Sequence, residues 1–423
     1  MMRLVVGIIA LLFSFCSSSQ NIERVFKPNI TTVQLSTYGN QQGFPSYNLN
    51  TGEQLFLSFD DLDGNVKSYY YTFVLCDYNW KQVDLNPFDY IKGFTQNRIT
   101  TYRYSSIALT RYTHYQAILP ERNSVPTRSG NYLLKVYLDG DSTNLVFTKQ
   151  MVVVDPKVTI SASIVQPFTP QLFSTHQRIR FTAVLSGLNT FSAAQQVKVV
   201  VLQNNRWDNS QRDIVPTFVR GNSLEYNSEN IAVFPGGKEW RWLDIRSLRL
   251  QSDRVDSGAY HKSATDLFLR PDVDRSGQKY IYFTDYNGMY QITTYESVNP
   301  LWQGDYATVH FNFQPNNGVP YENEDIYLLG AFTGYQLTDQ WKMKYNENTH
   351  MYENTAFLKQ GYYNYSYIGI KKDGSQINLE GNYWETENAY TILVYYKGFN
   401  DRSDQLIGIS QVNSRSDRPG FSF

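Results

Sequence analysis

Asp325-Ile-Tyr-Leu-Leu-Gly-Ala-Phe-Thr-Gly-Tyr-Gln-Leu-Thr-Asp-Gln-Trp341 and Leu358-Lys-Gln-Gly-Tyr-Tyr-Asn-Tyr-Ser-Tyr367 decide how this chain is read. The first segment is a short apolar strand that runs into a turn of small residues carrying an aromatic. In the second, a glycine opens a strand in which tyrosines recur at every second position. Strand, tight turn and Gly-Tyr hairpin strand describe one edge of a β-sandwich, because the period of two sends alternate side chains to one face.

The rest of the chain agrees with a β reading. Aromatic residues make up 16% of the 423 residues, with 34 Tyr, and such residues suit a pleated, half-buried surface. Residues 179, 181, 183 and 185 alternate apolar with polar or small neighbours, as do Val197, Val199 and Val201. Asn287-Gly288, between Tyr280-Ile-Tyr-Phe and Met289-Tyr-Gln-Ile, is the strongest hairpin signal in the chain. Asp139-Gly140 and Asp373-Gly374 read as turns of the same kind. No long helical period is present, so the expected class is all-β, with tandem Ig-like sandwiches.

Residues 1–19 have the form of a secretory signal: Arg3, an apolar run from Leu4 to Phe15, and the small residues Ser17-Ser-Ser19. Lipidation of Cys16 would need a small residue before it, and Phe15 stands there. With the signal removed, Cys76 is the only cysteine, so no internal disulfide is expected, and its apolar neighbours predict a buried thiol. Met151-Val-Val-Val-Asp-Pro156 and Glu296-Ser-Val-Asn-Pro300 each end a unit on a proline that restricts the residue before it. The expected units are therefore an N-terminal sandwich at 20–155, a middle β-rich domain at 156–300, a C-terminal sandwich at 301–413 and a polar tail at 414–423. The terminal Phe421-Ser-Phe423 loosely matches an outer-membrane barrel terminus. However, Pro419 and the polar run before it lack the alternation of a barrel strand, so no membrane insertion is expected.

Lys+Arg 38 against Asp+Glu 39 gives a net charge of −1, which argues against nucleic acid as a partner. Zinc-protease, nucleophile-elbow, phosphate-loop and dinucleotide motifs are absent. The histidines (114, 176, 261, 310 and 350) are widely spread, and His114, in an aromatic strand, reads as packed. Asp272-Val-Asp-Arg-Ser-Gly277 imitates half of a calcium loop but has Phe283 where the closing Glu belongs, and the Asp cluster at 60–63 reads as a hairpin end. No catalytic residue, cofactor or metal is expected.

Two groups of aromatics stand out as candidate contacts. Trp207, in Gln203-Asn-Asn-Arg-Trp207, and the pair Trp240 and Trp242 combine tryptophan with arginine, as interface anchors do. Tyr335, Trp341 and Trp384 are the candidates for a sugar-stacking platform. The opening stretch resembles a glycogen-binding (E-set) sandwich, in which a tryptophan follows the Phe-Asn-Gly turn. Here Tyr335 follows Phe332-Thr-Gly and offers less stacking area. A periplasmic carbohydrate-binding protein is therefore the second functional expectation.

A longer, collinear series carries a resemblance across nearly the whole chain. It comprises Phe59-Asp-Asp-Leu62, Cys76-Asp-Tyr-Asn-Trp80, Tyr90-Ile-Lys-Gly-Phe94, Ser105-Ser-Ile through His114-Tyr115, and Ser129-Gly-Asn-Tyr132. Thr175-His-Gln177, Gln203-Asn-Asn-Arg-Trp207, Asp285-Tyr-Asn-Gly288, Leu358-Lys-Gln-Gly-Tyr-Tyr-Asn-Tyr365 and Asp404-Gln-Leu-Ile-Gly408 complete it. In order and spacing it resembles the type 9 secretion system plug family of Bacteroidota, differing at Lys238 and Trp240, where the family pattern has Asn and Phe. The resemblance implies a non-enzymatic periplasmic β protein at the inner face of the outer membrane. Such a protein seats against the translocon barrel, one copy per translocon, and seals its pore between export events.

Overall fold

The computed structural model describes residues 22–185, 188 and 192–417. The expected signal at 1–19, with Cys16, and residues 418–423 of the expected tail lie outside the described residues. Among the described residues strands dominate, and the longest helices, Ala193–Gln196 and Pro300–Gln303, are single turns. Among the described residues no helix is long and apolar enough to cross a membrane.

Three sandwiches are built. In the first, a sheet ordered Arg24–Val25, Leu145–Val154, Gly130–Leu138, Tyr69–Cys76 and Asn97–Arg98 faces a second sheet. That second sheet runs Ile30–Thr37, Leu55–Asp61, Thr113–Leu119 and Thr101–Tyr104. Alternation directs Leu55, Leu57 and Phe59 inward against Tyr69, Tyr71 and Phe73. Phe59 stacks on Tyr115 at 5.2 Å and meets Phe147 edge-on at 5.0 Å. Such ring pairs add to the area they bury.

The second sandwich packs Val158–Val165, His176–Leu185 and Ser223–Tyr226 against Val197–Gln203, Ala389–Tyr396 and Gln405–Asn413. The third packs Gly361–Lys371, flanked by Arg241–Asp244, Tyr290–Ile292 and Glu324–Leu329, against a sheet centred on Tyr306–Gln314 and Met351–Lys359. The strand, turn and Gly-Tyr strand read from 325–367 are present, with Leu328 opposite Tyr367 and the turn at Ala331–Thr333.

The strand pairing crosses the boundary expected at Pro300. Arg241–Asp244 and Tyr290–Ile292 pair with Gly361–Lys371 of the third sandwich, while Ala389–Tyr396 pairs with Val197–Gln203 of the second. The third sandwich is thus inserted into the second between Val233–Pro235 and Ala389–Tyr396. The outgoing and returning chains touch backbone to backbone: Tyr383 N donates to Gly237 O at 2.9 Å. A Cβ on Gly236 would lie 2.1 Å from Tyr383 O, so only glycine fits the crossing. Near Pro156 the chain does change sandwich, with Asp155 N and Lys157 N bonded to Leu406 O and Ile407 O at 3.0 and 2.8 Å.

Local expectations meet mixed outcomes. Asn287 and Gly288 both have positive φ, 53° and 84°, and Met289 N closes the turn on Tyr286 O at 3.0 Å. The turn forms but the hairpin does not, because Gly361–Tyr363 takes the pairing edge of Tyr290–Ile292. Tyr280 instead bonds Glu239, and Phe283 packs edge-on against Trp242. Ser414, expected to open a polar tail, is buried, with Oγ donating to Thr386 O at 2.9 Å. Burial pushes the Cys76 thiol up to about 12, which fits an inert core group.

Candidate functional site

The sandwiches meet in two kinds of junction. The first and second share an apolar cluster in which Phe44, Tyr78 and Val152 pack against Val200, Leu393 and Leu406. Trp207 closes it, edge-on to Trp80 at 4.8 Å and 6.2 Å from Phe44. Polar groups finish the seam: Tyr395 Oη donates to Asn131 Oδ1 at 2.7 Å, and Arg212 donates to Tyr78 O at 2.6 Å.

The first and third sandwiches meet through charge. Strand Leu55–Asp61 carries Asp60 outward from its own core into the junction, where it is fully buried. Lys359 Nζ lies 2.6 Å from Asp60 Oδ2, Tyr306 Oη donates to the same oxygen at 2.5 Å, and His114 Nδ1 lies 2.6 Å from Oδ1. Lys359 also sits 4.1 Å over the Tyr112 ring. Burial alone would raise the Asp60 carboxyl, but Lys359 and His114 outweigh it and hold it below the ordinary carboxylate range. Burial likewise lowers the Lys359 ammonium, against the pull of Asp60. His114 is packed, as its aromatic strand predicts, and serves this cluster. Asp61 turns to the other face, where Asn29, Lys67 and Tyr69 satisfy it.

Asp272, in the imitation calcium loop, is taken up by a different network. Arg241, Tyr365 and Tyr367 reach its carboxylate at 2.8, 2.8 and 2.9 Å, and Arg254 joins them. Arginines therefore occupy the carboxylate lone pairs that a cation would need. No group of three metal-ligating side chains occurs among the described residues.

Three of the six aromatics singled out in the sequence line two adjoining cavities between the sandwiches. Trp207 and Tyr335 border a cavity of about 140 Å³, and Trp341 borders an adjoining one of about 470 Å³. The two share Glu23, Lys149, Tyr290 and Ala331 in their walls, so they adjoin. Tyr335, in a left-handed conformation with φ 53°, meets Trp240 edge-on at 6.1 Å. The Arg206 guanidinium, gripped by Asp208, covers both rings at 4.7 and 5.7 Å. The Tyr335 hydroxyl is buried with no hydrogen-bond partner among the described residues.

Trp242 and Trp384 lie apart from these cavities. Trp242 packs on Phe283 at 4.9 Å beside the Arg241 network. Trp384 packs on the core of the second sandwich, and its backbone is tied to Ser174 and Gln177. Trp341 packs edge-on to Phe332 at 5.9 Å against the core of the third. Tyr335, Trp341 and Trp384 therefore do not assemble into one stacking face. The ion cluster escaped the sequence reading because Asp60 and Lys359 stand 299 positions apart. The available signal was a lone lysine at the end of the strand-like run Ala356-Phe-Leu-Lys359.

Comparison with known proteins adds two findings. Residues 30–155 match the family described as type 9 secretion system plug protein, first domain. The fold matches the crystal structure of a hypothetical protein from Parabacteroides merdae ATCC 43184, with a TM-score of 0.88 and 30% sequence identity over 93% of this chain and 99% of that one. No curated protein sequence matches.

Proposed function

Because this chain belongs to the type 9 secretion system plug protein family, we propose that it is a non-enzymatic periplasmic component of that system. In this reading one copy binds the periplasmic opening of the outer-membrane translocon barrel and closes its pore when no substrate is exported. The family match over residues 30–155 carries the proposal, and the likeness to the Parabacteroides protein shows that the whole chain shares one known fold.

Two physical features support it. A stopper must keep its shape, and here the first sandwich is fastened to the second by an apolar seam and to the third by a buried ion pair. A net charge of −1 favours docking by shape and apolar contact over long-range steering. The test is affinity purification of the tagged protein from detergent-solubilised outer membranes. The translocon barrel is expected to co-purify, and its absence would contradict the proposal. The carbohydrate reading has no assembled aromatic face behind it.

A further inference from the structure

The cavity of about 470 Å³ between the first and third sandwiches is bordered by three strand edges. Arg24–Val25 is the last strand of one sheet of the first sandwich, and Ile30–Thr37 is the last of the other. From the third sandwich comes Met351–Lys359, which pairs along its length with Tyr306–Phe313. Its second edge is covered by Lys344–Asn346 only as far as Glu353. Phe357, Leu358 and Lys359, beyond that cover, line the cavity together with Thr31 and Thr32.

Open edges expose backbone donors and acceptors, and folded proteins ordinarily blunt or cover them. Here the fold gathers three around one space whose size falls in the range of ligand sites, about 300–1,000 Å³. Of their backbone groups, Ile30 N, Lys359 O and the neighbouring Glu23 O are already bonded, to Lys27 O, Tyr363 Oη and Gln336 Nε2. A bulge between Thr31 and Gln34, with Thr32 at φ 52°, bends Ile30–Thr37 where it borders the cavity. Val25, Phe26 and Phe357 present exposed apolar surface beside it. The charge at the rim is one-sided. Glu23 is paired with Lys149, whereas Arg24 and Lys27 have no acidic partner among the described residues.

We propose that this cleft captures an extended polypeptide segment of a partner protein, with acidic side chains alternating with apolar ones, by strand addition to these open edges. Backbone hydrogen bonds supply the affinity, the apolar residues seat the alternate side chains, and Arg24 and Lys27 select acidic ones. The inference goes beyond pore closure and stands whether or not the translocon supplies the segment.

The probe is a fluorescein-labelled octapeptide alternating valine and aspartate, titrated with the full chain and read by fluorescence anisotropy. Saturable binding below about 1 mM is expected, weakened at least about tenfold by N-methylation of every second amide and by the Arg24→Glu, Lys27→Glu double change. A valine–lysine octapeptide should bind the wild type at least about tenfold more weakly and the double variant more tightly. Should the double variant fail to fold, the N-methyl comparison on the wild-type protein decides. Absence of saturation, indifference to N-methylation, or a protein dimer in sedimentation that the peptide does not dissociate overturns the proposal. None of these results bears on co-purification with the translocon.

Discussion

Lys359 Nζ sits 2.6 Å from Asp60 Oδ2, and each side chain is all but excluded from solvent at the seam between the first and third sandwiches. Two desolvated charges gain little over an apolar pair, but either one alone is costly. Docking the third sandwich in an arrangement that separates the two while they stay buried would leave each charge unpaired.

Asp60→Asn should destabilise the protein by about 3–5 kcal/mol, because it strands the Lys359 ammonium. Asp60→Asn combined with Lys359→Met should recover part of that loss. Denaturant unfolding of both variants checks this, and a double variant worse than the single would contradict it.

The Asp60 carboxyl is depressed in the folded protein, so its contribution is present above the ordinary carboxylate range and lost as pH falls through the folded value. Asp285 has the opposite sign. Burial raises its carboxyl to about 7, with Glu387 and Glu239 adding to the shift and backbone donors opposing it. The folded state then holds a proton that the unfolded state releases, and stability falls as pH rises from about 4 through 7. Asp285→Asn should flatten that slope by about 1–3 kcal/mol between pH 5 and 8, as read by unfolding across the range. An unchanged slope would place the titration elsewhere.

Trp207→Ala should cost about 2–4 kcal/mol through the lost contacts with Trp80 and Phe44. Trp207→Phe should retain roughly half of the packing. Tryptophan fluorescence during unfolding reports both variants.

Gly236→Ala should be the most disruptive glycine change at the crossing into the third sandwich, because the methyl would meet the Tyr383 carbonyl. A loss of about 3 kcal/mol or more is expected. Gly237→Ala, with open space around it but a φ of 65°, should cost about 1 kcal/mol. Thermal melts of the two variants compare a steric clash with backbone strain.

The all-β class was legible because alternation at residues such as 179–185 and 197–201 is a local property of the chain. The Asn287-Gly288 turn was legible for the same reason. Sheet membership was not. Ile392 and Val394 announce a buried strand, but nothing in them says that the partner is Val199 and Val201 rather than a nearer strand. That choice depends on how the third sandwich closes, a long-range property that a period of two cannot encode. The aromatic candidates were partly legible. Trp240 and Tyr335 converge under Arg206 and Trp207 closes the seam between the first and second sandwiches, whereas Trp341 and Trp384 carry the same local signal and end in separate cores. Tryptophan suits cores and contact surfaces equally, so residue type alone could not separate them.

The most direct test of the proposed plugging role is the conductance of planar bilayers containing the purified translocon barrel, recorded before and after this protein is added to the periplasmic side. A stable fall in conductance at equimolar protein is expected. Conductance unchanged by bound protein would contradict pore closure and leave binding alone.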